Sequence, residues 1–290
     1  MAHTLAVDLG GTNMRVAVVE RRGVIVARDQ APTPRGASTL EPFVAFVRGM
    51  RDAHDVDRAV VAVPGRIDYA AGVLLDGPHL PPGWPPLITR DTLRPALDLP
   101  VSLANDADVA ALGEARFGAG RGHDDVVYVT ISTGVGAGIL VGGRLLLPRF
   151  SAGEVGRSVV DRVLARAGEN GTVEGLGSGT ALAHAARAEG LDLTGAGLVA
   201  LVEAGDPVAR GIWDAGLFAA AVGVVNLAHL VAPTVVVIGG GVGRNGDLAL
   251  DPIRAALARL GPAGPPIPVV AAELGDDPGL LGAAAWPDAP

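Results

Sequence analysis

The chain has 290 residues, a formal net charge of −8 and a hydrophobic fraction of 49%, which suits one or two globular domains with a sizeable core. This acidic balance and the lack of any basic tract argue against nucleic acid or an anionic membrane as partner. The sequence contains no cysteine and no lysine, which excludes disulfides, thiol nucleophiles, thiolate metal sites, P-loop lysines and Schiff-base lysines.

The N-terminal part of the chain alternates strands with a helix. Apolar runs predict three strands, a helix and a fourth strand, in "TLAVDLG", "MRVAVVE", "GVIVARDQ", "TLEPFVAFVRGMRDAH" and "RAVVAVPG". Residues 68–90 are rich in proline and glycine and predict an extended loop with turns. The short strand "PVSLA" then leads into "NDADVAALGEARFG", an alanine-rich helix whose N-cap is Asn105 or Asp106.

A second glycine hairpin opens the C-terminal part, where "TGVG" joins the predicted strands "DVVYVTIS" and "AGILVGGRLL". Residues 178–232 are predicted to be largely helical. A strand in "TVVVIGGG", a helix near 247–260, a strand in "PVVAAEL" and a short C-terminal helix follow. Strands that alternate with helices predict an α/β protein.

One uncharged stretch, Ala215–Gly243, has to be weighed as a membrane span. Pro233 divides it, and Asn226 and His229 lie within its first part. It therefore predicts a buried core helix followed by a central strand. We expect a soluble, cytoplasmic protein with no membrane partner.

Three glycine clusters are the main functional signal. The first is Asp8–Asn13, the second Thr133–Gly136 and the third Gly239–Gly241. Any one of these clusters alone predicts only a tight turn. Because glycine lets backbone amides approach an anion closely, the three clusters together predict phosphate binding. Asp8 ends a strand that looks buried, and a buried carboxylate needs a partner.

The stretch "GVGRNG" at 241–246 also fits the Rossmann pattern G-x-G-x-x-G, with Glu273 at the end of the next strand. Too few residues follow Gly246 for a complete dinucleotide domain. The first two clusters also join strand to strand, whereas that pattern joins strand to helix. The Rossmann interpretation is therefore weak.

Six segments resemble, in chain order, motifs of the ROK family, which contains sugar kinases and repressors. They are "DLGGTNMR" (first phosphate motif), "NDADVAALGEARFGAG" (catalytic segment), "STGVGAGILVGG" (second phosphate hairpin), "GEVG" (sugar-contact loop), "IGGGV" (adenosine-side strand) and "LGDDPGLLGAA" (closing segment). The resemblance implies an α/β, actin/hexokinase-like (ribonuclease H-like) ATPase fold with a cleft between two domains. Its smaller domain would be residues 1–108, completed by the C-terminal helix at about 277–290, and its larger domain residues 109–276.

The resemblance implies an ATP-dependent kinase that phosphorylates a hydroxyl of a hexose or hexose-like sugar. Asp106 would be the general base, with a helix N-terminus favouring its ionised form, although it could instead be only an N-cap. Asp8 would act on Mg²⁺ through water. The residues implied in ATP and phosphate binding are Asp8, Gly10, Gly11, Thr12, Asn13, Thr133, Gly134, Gly136, Gly239, Gly240 and Gly241.

The sugar contacts implied by the resemblance are Gly65, His79, Asn105, Glu154, Arg157 and Glu174. Glu154 and Glu174 could alternatively face solvent, as most glutamates do. Many family members bind a structural zinc ion through a histidine and a cysteine cluster. Arg157 stands at that histidine position and the chain has no cysteine, so we expect no zinc site. His79 stands where asparagine is usual, which leaves the identity of the sugar open.

The sequence is also compatible with other functions. A non-catalytic sugar- or nucleotide-binding or regulatory member of the family is the main alternative to the kinase. A sugar-sensing repressor is disfavoured because we see no helix-turn-helix region before the first strand, and a two-carboxylate glycosidase leaves the glycine clusters unexplained. Polyphosphate could replace ATP as donor. The resemblance also implies a homodimer.

Overall fold

The computed structural model describes residues 3–34, 36 and 38–287. Its strands are β1 (His3–Leu9), β2 (Asn13–Glu20), β3 (Ile25–Pro32), β4 (Arg58–Val63), β5 (Arg66–Asp68), β6 (Val73–Asp76), β7 (Val101–Asn105), β8 (Val126–Ile131), β9 (Val135–Val141), β10 (Arg144–Leu145), β11 (Val235–Gly239) and β12 (Val269–Ala271). Its helices are α1 (Glu41–Ala53), α2 (Arg90–Leu97), α3 (Asp106–Phe117), α4 (Arg162–Arg166), α5 (Val173–Gly177), α6 (Gly179–Ala188), α7 (Gly195–Glu203), α8 (Pro207–Val231), α9 (Gly240–Gly243), α10 (Asp247–Leu260) and α11 (Pro278–Ala285).

The chain divides into two compact units. The first unit comprises Met1–Arg121, Leu145–Ala152 and Leu274–Pro290, and the second comprises Gly122–Arg144 and Gly153–Glu273. The division falls after α3, whereas the boundary expected after residue 108 would cut that helix. Helix α3 stays whole in the first unit because it packs along α11.

The two five-stranded sheets share one strand order. It is β3-β2-β1-β4-β7 in one sheet and β10-β9-β8-β11-β12 in the other. In each, an antiparallel hairpin, β1–β2 or β8–β9, is followed by parallel strands on the side of its first strand. The buried parallel strands, such as β4 and β11, are nearly continuous runs of valine, as expected where helices cover both faces. The predicted α/β class and the two hairpins are confirmed.

Residues 68–90 contain more regular structure than the sequence predicted. β5 pairs with β6 in an antiparallel hairpin, and a short 3-10 turn covers Pro85–Leu87. Trp84 and Ile88 are fully buried, and the Trp84 ring lies 6.1 Å from that of Phe43 on α1. The prediction of an extended loop was therefore wrong in part, because scattered apolar side chains anchor this segment in the core.

Helix α8 is the only helix among the described residues that is long and apolar enough to cross a membrane, and more than half of its most apolar window is buried. It packs against α5, α7 and α10. The Trp213 indole N–H donates to the Leu248 carbonyl oxygen at 3.0 Å. The predicted core helix followed by a central strand is confirmed by α8 and β11.

Helices α3 and α11 meet backbone to backbone, which requires glycine on both. A Cβ atom at Gly282 would overlap the Val109 carbonyl oxygen, and one at Gly113 would overlap the Pro278 carbonyl oxygen. Next to this contact, the fully buried Glu114 carboxylate accepts hydrogen bonds from the Ala119 and Leu274 N–H groups, each at 2.9 Å. Close packing and a satisfied buried carboxylate thus fix α3 against the C-terminal segment.

Replacing Gly282 with alanine should destabilise the protein by about 1–3 kcal/mol or more, because the new methyl group meets backbone that cannot rotate away. The measurement is urea unfolding. Gly211→Ala is the matched control, since Gly211 lies within α8 with open space around its Cβ position. That change should be neutral or stabilising by about 0.5–1 kcal/mol. Equal effects of the two substitutions would contradict the close contact.

Candidate functional site

The first glycine turn joins β1 to β2. The Gly10 N–H donates to the Asn13 carbonyl oxygen at 2.9 Å, and the Thr33 N–H donates to the Thr12 carbonyl oxygen at 2.8 Å. A Cβ atom at Gly11 would overlap the His79 carbonyl oxygen, so only glycine lets the two segments approach this closely. The predicted phosphate turn and His79, a predicted sugar contact, are therefore neighbours in the first unit.

Asp8 is paired with Arg15, which lies directly opposite on β2. An Arg15 guanidinium nitrogen lies 2.7 Å from Asp8 Oδ2, and another donates to the Asp276 carbonyl oxygen at 2.5 Å. The Asp8 side chain is only 17% exposed, and this burial raises its pKa above the ordinary 3.8 although Arg15 acts in the opposite direction. At the start of α11, a Cβ atom at Gly279 would lie 3.7 Å from Asp8 Oδ2.

Asn105 and Asp106 form the junction between β7 and α3. The Asn105 Oδ1 atom accepts hydrogen bonds from the Ala107 and Asp108 N–H groups at 2.9 and 3.2 Å, so Asn105 is the N-cap. Its side-chain amide donates to the Gly65 carbonyl oxygen at 2.9 Å. Asp106 is the first helical residue and is partly buried. Three predicted site residues thus meet at one helix N-terminus, which favours a negative charge there.

In the second unit, Glu174 contacts the turn between β8 and β9. Its Oε2 atom accepts a hydrogen bond from the Val135 N–H at 2.9 Å and lies against Gly134. Glu174 therefore binds the second glycine turn, and the alternative that it faces solvent is wrong. Thr133 of the same turn accepts a hydrogen bond from the Thr180 hydroxyl at its carbonyl oxygen, at 2.7 Å.

Glu154 and Arg157 form an ion pair of their own. The Arg157 Nε atom lies 3.1 Å from Glu154 Oε2, and the two side chains are 57% and 30% exposed, respectively. The preceding residue, Gly153, accepts a hydrogen bond from the Ala137 N–H on β9 at 2.9 Å. The predicted sugar-contact loop is thus attached to the strand that leaves the second glycine turn.

The third glycine cluster lies at the end of β11. Gly239 is the last strand residue, and Gly240 and Gly241 begin the short helix α9. Because β8 and β11 are adjacent and parallel, this cluster lies at the same sheet edge as the second glycine turn. In agreement, Gly240 contacts the backbone of Ile131, the last residue of β8.

Among the described residues, no three histidine, aspartate or glutamate side chains lie close enough together to hold a metal ion. Magnesium in phosphoryl-transfer sites is usually held by one or two carboxylates together with substrate phosphates. The Asp8 carboxylate, next to a glycine turn, is the type of ligand that such an ion takes, and in this structure its Oδ2 atom is paired with Arg15. Nothing in this arrangement offers a complete protein cage.

Comparison with known proteins identifies the family. The model of the ROK family matches residues 4–289. The chain belongs to the ROK family. It is 34% identical to glucokinase of Streptomyces coelicolor, over 98% of this chain and 97% of the relative, and 34% identical to N-acetylmannosamine kinase of Yersinia pestis, over 99% and 98%. The structure of a ROK family glucokinase from Streptomyces griseus in complex with glucose and AMPPNP is similar with a TM-score of 0.82 and 34% identity, covering 98% of both chains. These similarities confirm the expected actin/hexokinase-like fold.

Several residues at this site were missed by the sequence analysis. From the sequence, Arg15 was not paired with Asp8, and Tyr69 and Asp108 were not considered. An arginine opposite an aspartate in the hairpin register is a signal that could have indicated the Asp8–Arg15 pair. No local pattern links Tyr69 to Asp108, because the two are 39 residues apart.

The Asp8→Asn variant should be more stable than the wild type at pH 7 without metal. The raised pKa means that ionisation of Asp8 favours the unfolded chain, so the stability given by the protonated form is lost as the pH rises above 3.8. Urea unfolding between pH 3 and 7 measures this: the advantage of the variant should grow with pH and then level off.

Asp68→Asn is the matched control with the opposite sign. The Ala71 N–H and Arg149 hold the pKa of Asp68 below 3.8, so Asp68 contributes stability above that pH which is lost as the pH falls. This variant should therefore be less stable than the wild type at pH 7. If Asp8→Asn also loses stability at pH 7, the account of the Asp8 carboxylate is wrong.

Proposed function

We propose that the protein is an ATP-dependent kinase that transfers the terminal phosphoryl group of Mg-ATP to a hydroxyl of a hexose or hexose-like sugar. The observation that carries this proposal is Asp106, the first residue of a helix whose N-cap is its neighbour Asn105. Membership of the ROK family and the two sugar kinases among its relatives support it.

Asp106 would act as the general base. A sugar hydroxyl is a weak nucleophile at neutral pH, and a carboxylate within hydrogen-bond reach can take its proton as the new oxygen–phosphorus bond forms. The N-terminus of α3 favours the ionised form that this role needs. The proton then passes from Asp106 to solvent after the sugar phosphate and ADP leave.

The glycine turns would bind the phosphates. The turns that contain Gly10, Gly11, Thr12 and Asn13, and Thr133, Gly134 and Gly136, offer backbone amides without bulky side chains, and Gly239–Gly241 would lie on the adenosine side. Magnesium, when bound, supplies charge neutralisation at the phosphates, with Asp8 as its carboxylate through water. Since the chain has no lysine, arginine is its only side chain with a permanent positive charge for phosphate binding.

The residues proposed to contact the sugar are Gly65, His79, Asn105, Glu154, Arg157 and Glu174. Groups that match hydroxyls one by one provide selectivity, because an unmatched buried polar group is penalised. Arg157 and His79 would then select among sugars.

The segment 158–173, which follows the sugar-contact loop, would hold its shape without zinc. The Val160 and Asp161 N–H groups both donate to the Gly171 carbonyl oxygen at 2.9 Å, and the Val173 N–H donates to the Ser158 carbonyl oxygen at 2.9 Å. The Asp161 side chain caps α4. These hydrogen bonds join the two ends of the segment, which supports a fold that needs no metal.

The second candidate function is a sugar- or nucleotide-binding protein without kinase activity. The observation in its favour is the ion pair of Glu154 with Arg157, which occupies a carboxylate that would otherwise meet the sugar. Such a protein would bind its ligand without consuming ATP.

A coupled assay of ADP release with Mg-ATP tests the kinase against a panel of glucose, mannose, N-acetylmannosamine, N-acetylglucosamine and fructose. We expect turnover with at least one sugar and a fall in kcat of about 10²–10⁴-fold in Asp106→Asn, because only the proton acceptor is removed. Asp91→Asn is the matched control, since Asp91 lies in the first turn of another helix, α2, and is exposed. Nucleotide binding without turnover on any sugar would favour the second candidate.

A further inference from the structure

A buried phenol–carboxylate pair lies directly behind Asp106. The Tyr69 hydroxyl donates to Asp108 Oδ2 at 2.5 Å, and the same phenolic oxygen accepts a hydrogen bond from the Asn105 N–H at 3.3 Å. Asp108 is 1% exposed, and the Tyr69 ring packs 6.1 Å from the Trp286 ring. Burial, followed by the neighbouring Asp108 carboxylate, raises the pKa of Tyr69, so the phenol keeps its proton and remains a donor.

The Tyr69 hydroxyl contacts the chain on both sides of Asp106. Tyr69 contacts the backbone of the residue before Asp106 and the side chain of the residue two positions after it. Asp108 lies in the first turn of α3, and its N–H is bound by the Asn105 cap. The segment 105–108 is therefore held at both ends by one group from elsewhere in the first unit, the Tyr69 hydroxyl.

A buried carboxylate is costly when it loses a hydrogen-bond donor, so the pair has one strongly preferred geometry. Fixed geometry matters for a general base, because a displacement of about 1 Å can lower the rate about 10²-fold. A helix N-terminus that carries such a base would otherwise be free to fray, as helix ends do.

We propose that Tyr69 and Asp108 are positioning residues that hold the Asp106 carboxylate in place for proton transfer. This inference rests on the proposed function and deepens it. Neither residue touches the reacting atoms: each acts through the backbone on either side of Asp106. An isosteric acceptor at 108 should preserve the arrangement, since the amide oxygen of asparagine can also accept the Tyr69 hydrogen bond.

Steady-state kinetics on Tyr69→Phe, Asp108→Asn and Asp108→Ala tests the proposal, with the sugar that gives turnover in the wild type. We expect kcat to fall about 10–100-fold in Tyr69→Phe and Asp108→Ala, with KM for sugar and ATP changed less than about threefold. Asp108→Asn should retain kcat within about threefold. Thr4→Val is the control for loss of a buried hydroxyl outside the site, since Thr4 accepts a hydrogen bond from Arg58 Nε at 3.1 Å. It should lower the melting temperature and leave kcat unchanged.

Amide hydrogen exchange gives a readout that does not depend on turnover. In Tyr69→Phe, the amides of Ala107 and Asp108 should exchange at least tenfold faster than in the wild type, whereas those of α8 should not change. Unchanged kcat and unchanged exchange in Tyr69→Phe, with an active wild type, would overturn the positioning role alone. A wild type without turnover on any acceptor would instead overturn the proposed function, whatever the exchange rates.

Discussion

The glycine contact between α3 and α11 is the constraint on which the first unit depends. Gly113 and Gly282 let the two helix backbones touch, and no larger residue fits at that contact. One helix begins at Asp106, and the other begins beside Asp8. Because rigid helices in backbone contact cannot slide, this packing fixes the two carboxylates relative to each other across more than ninety residues of sequence.

Arginine side chains pair with the carboxylates of the candidate site, since the chain has no lysine. Arg15 pairs with Asp8, and Arg157 pairs with Glu154. The raised pKa of Asp8 indicates that ionisation of this carboxyl lowers the free energy of unfolding. A residue whose charged form destabilises the fold is typical of functional sites, where stability is given up for activity.

Much of the fold and part of the site could be predicted from local patterns. The hairpin β1–β2, the core helix α8 and the three glycine clusters all carry periodic or compositional signals over a few residues. The hairpin of β5 and β6 could not be predicted, because turn residues hid the scattered apolar side chains that anchor it. The bonds from Tyr69 to Asp108 and from Val135 to Glu174 each join residues 39 positions apart, and only the folded chain brings them together. The roles of Asp106, Asp8 and the sugar contacts remain predictions.

The most direct test of the central claim, phosphoryl transfer to a sugar hydroxyl, is ³¹P NMR of the wild-type protein with Mg-ATP and the sugar that supports ADP release. The account predicts that the γ-phosphate signal of ATP decreases while a sugar phosphomonoester signal, coupled to carbon-bound sugar protons, grows by an equal amount. A gain of inorganic phosphate alone, with no ester signal, would show that water is the acceptor and would contradict the account.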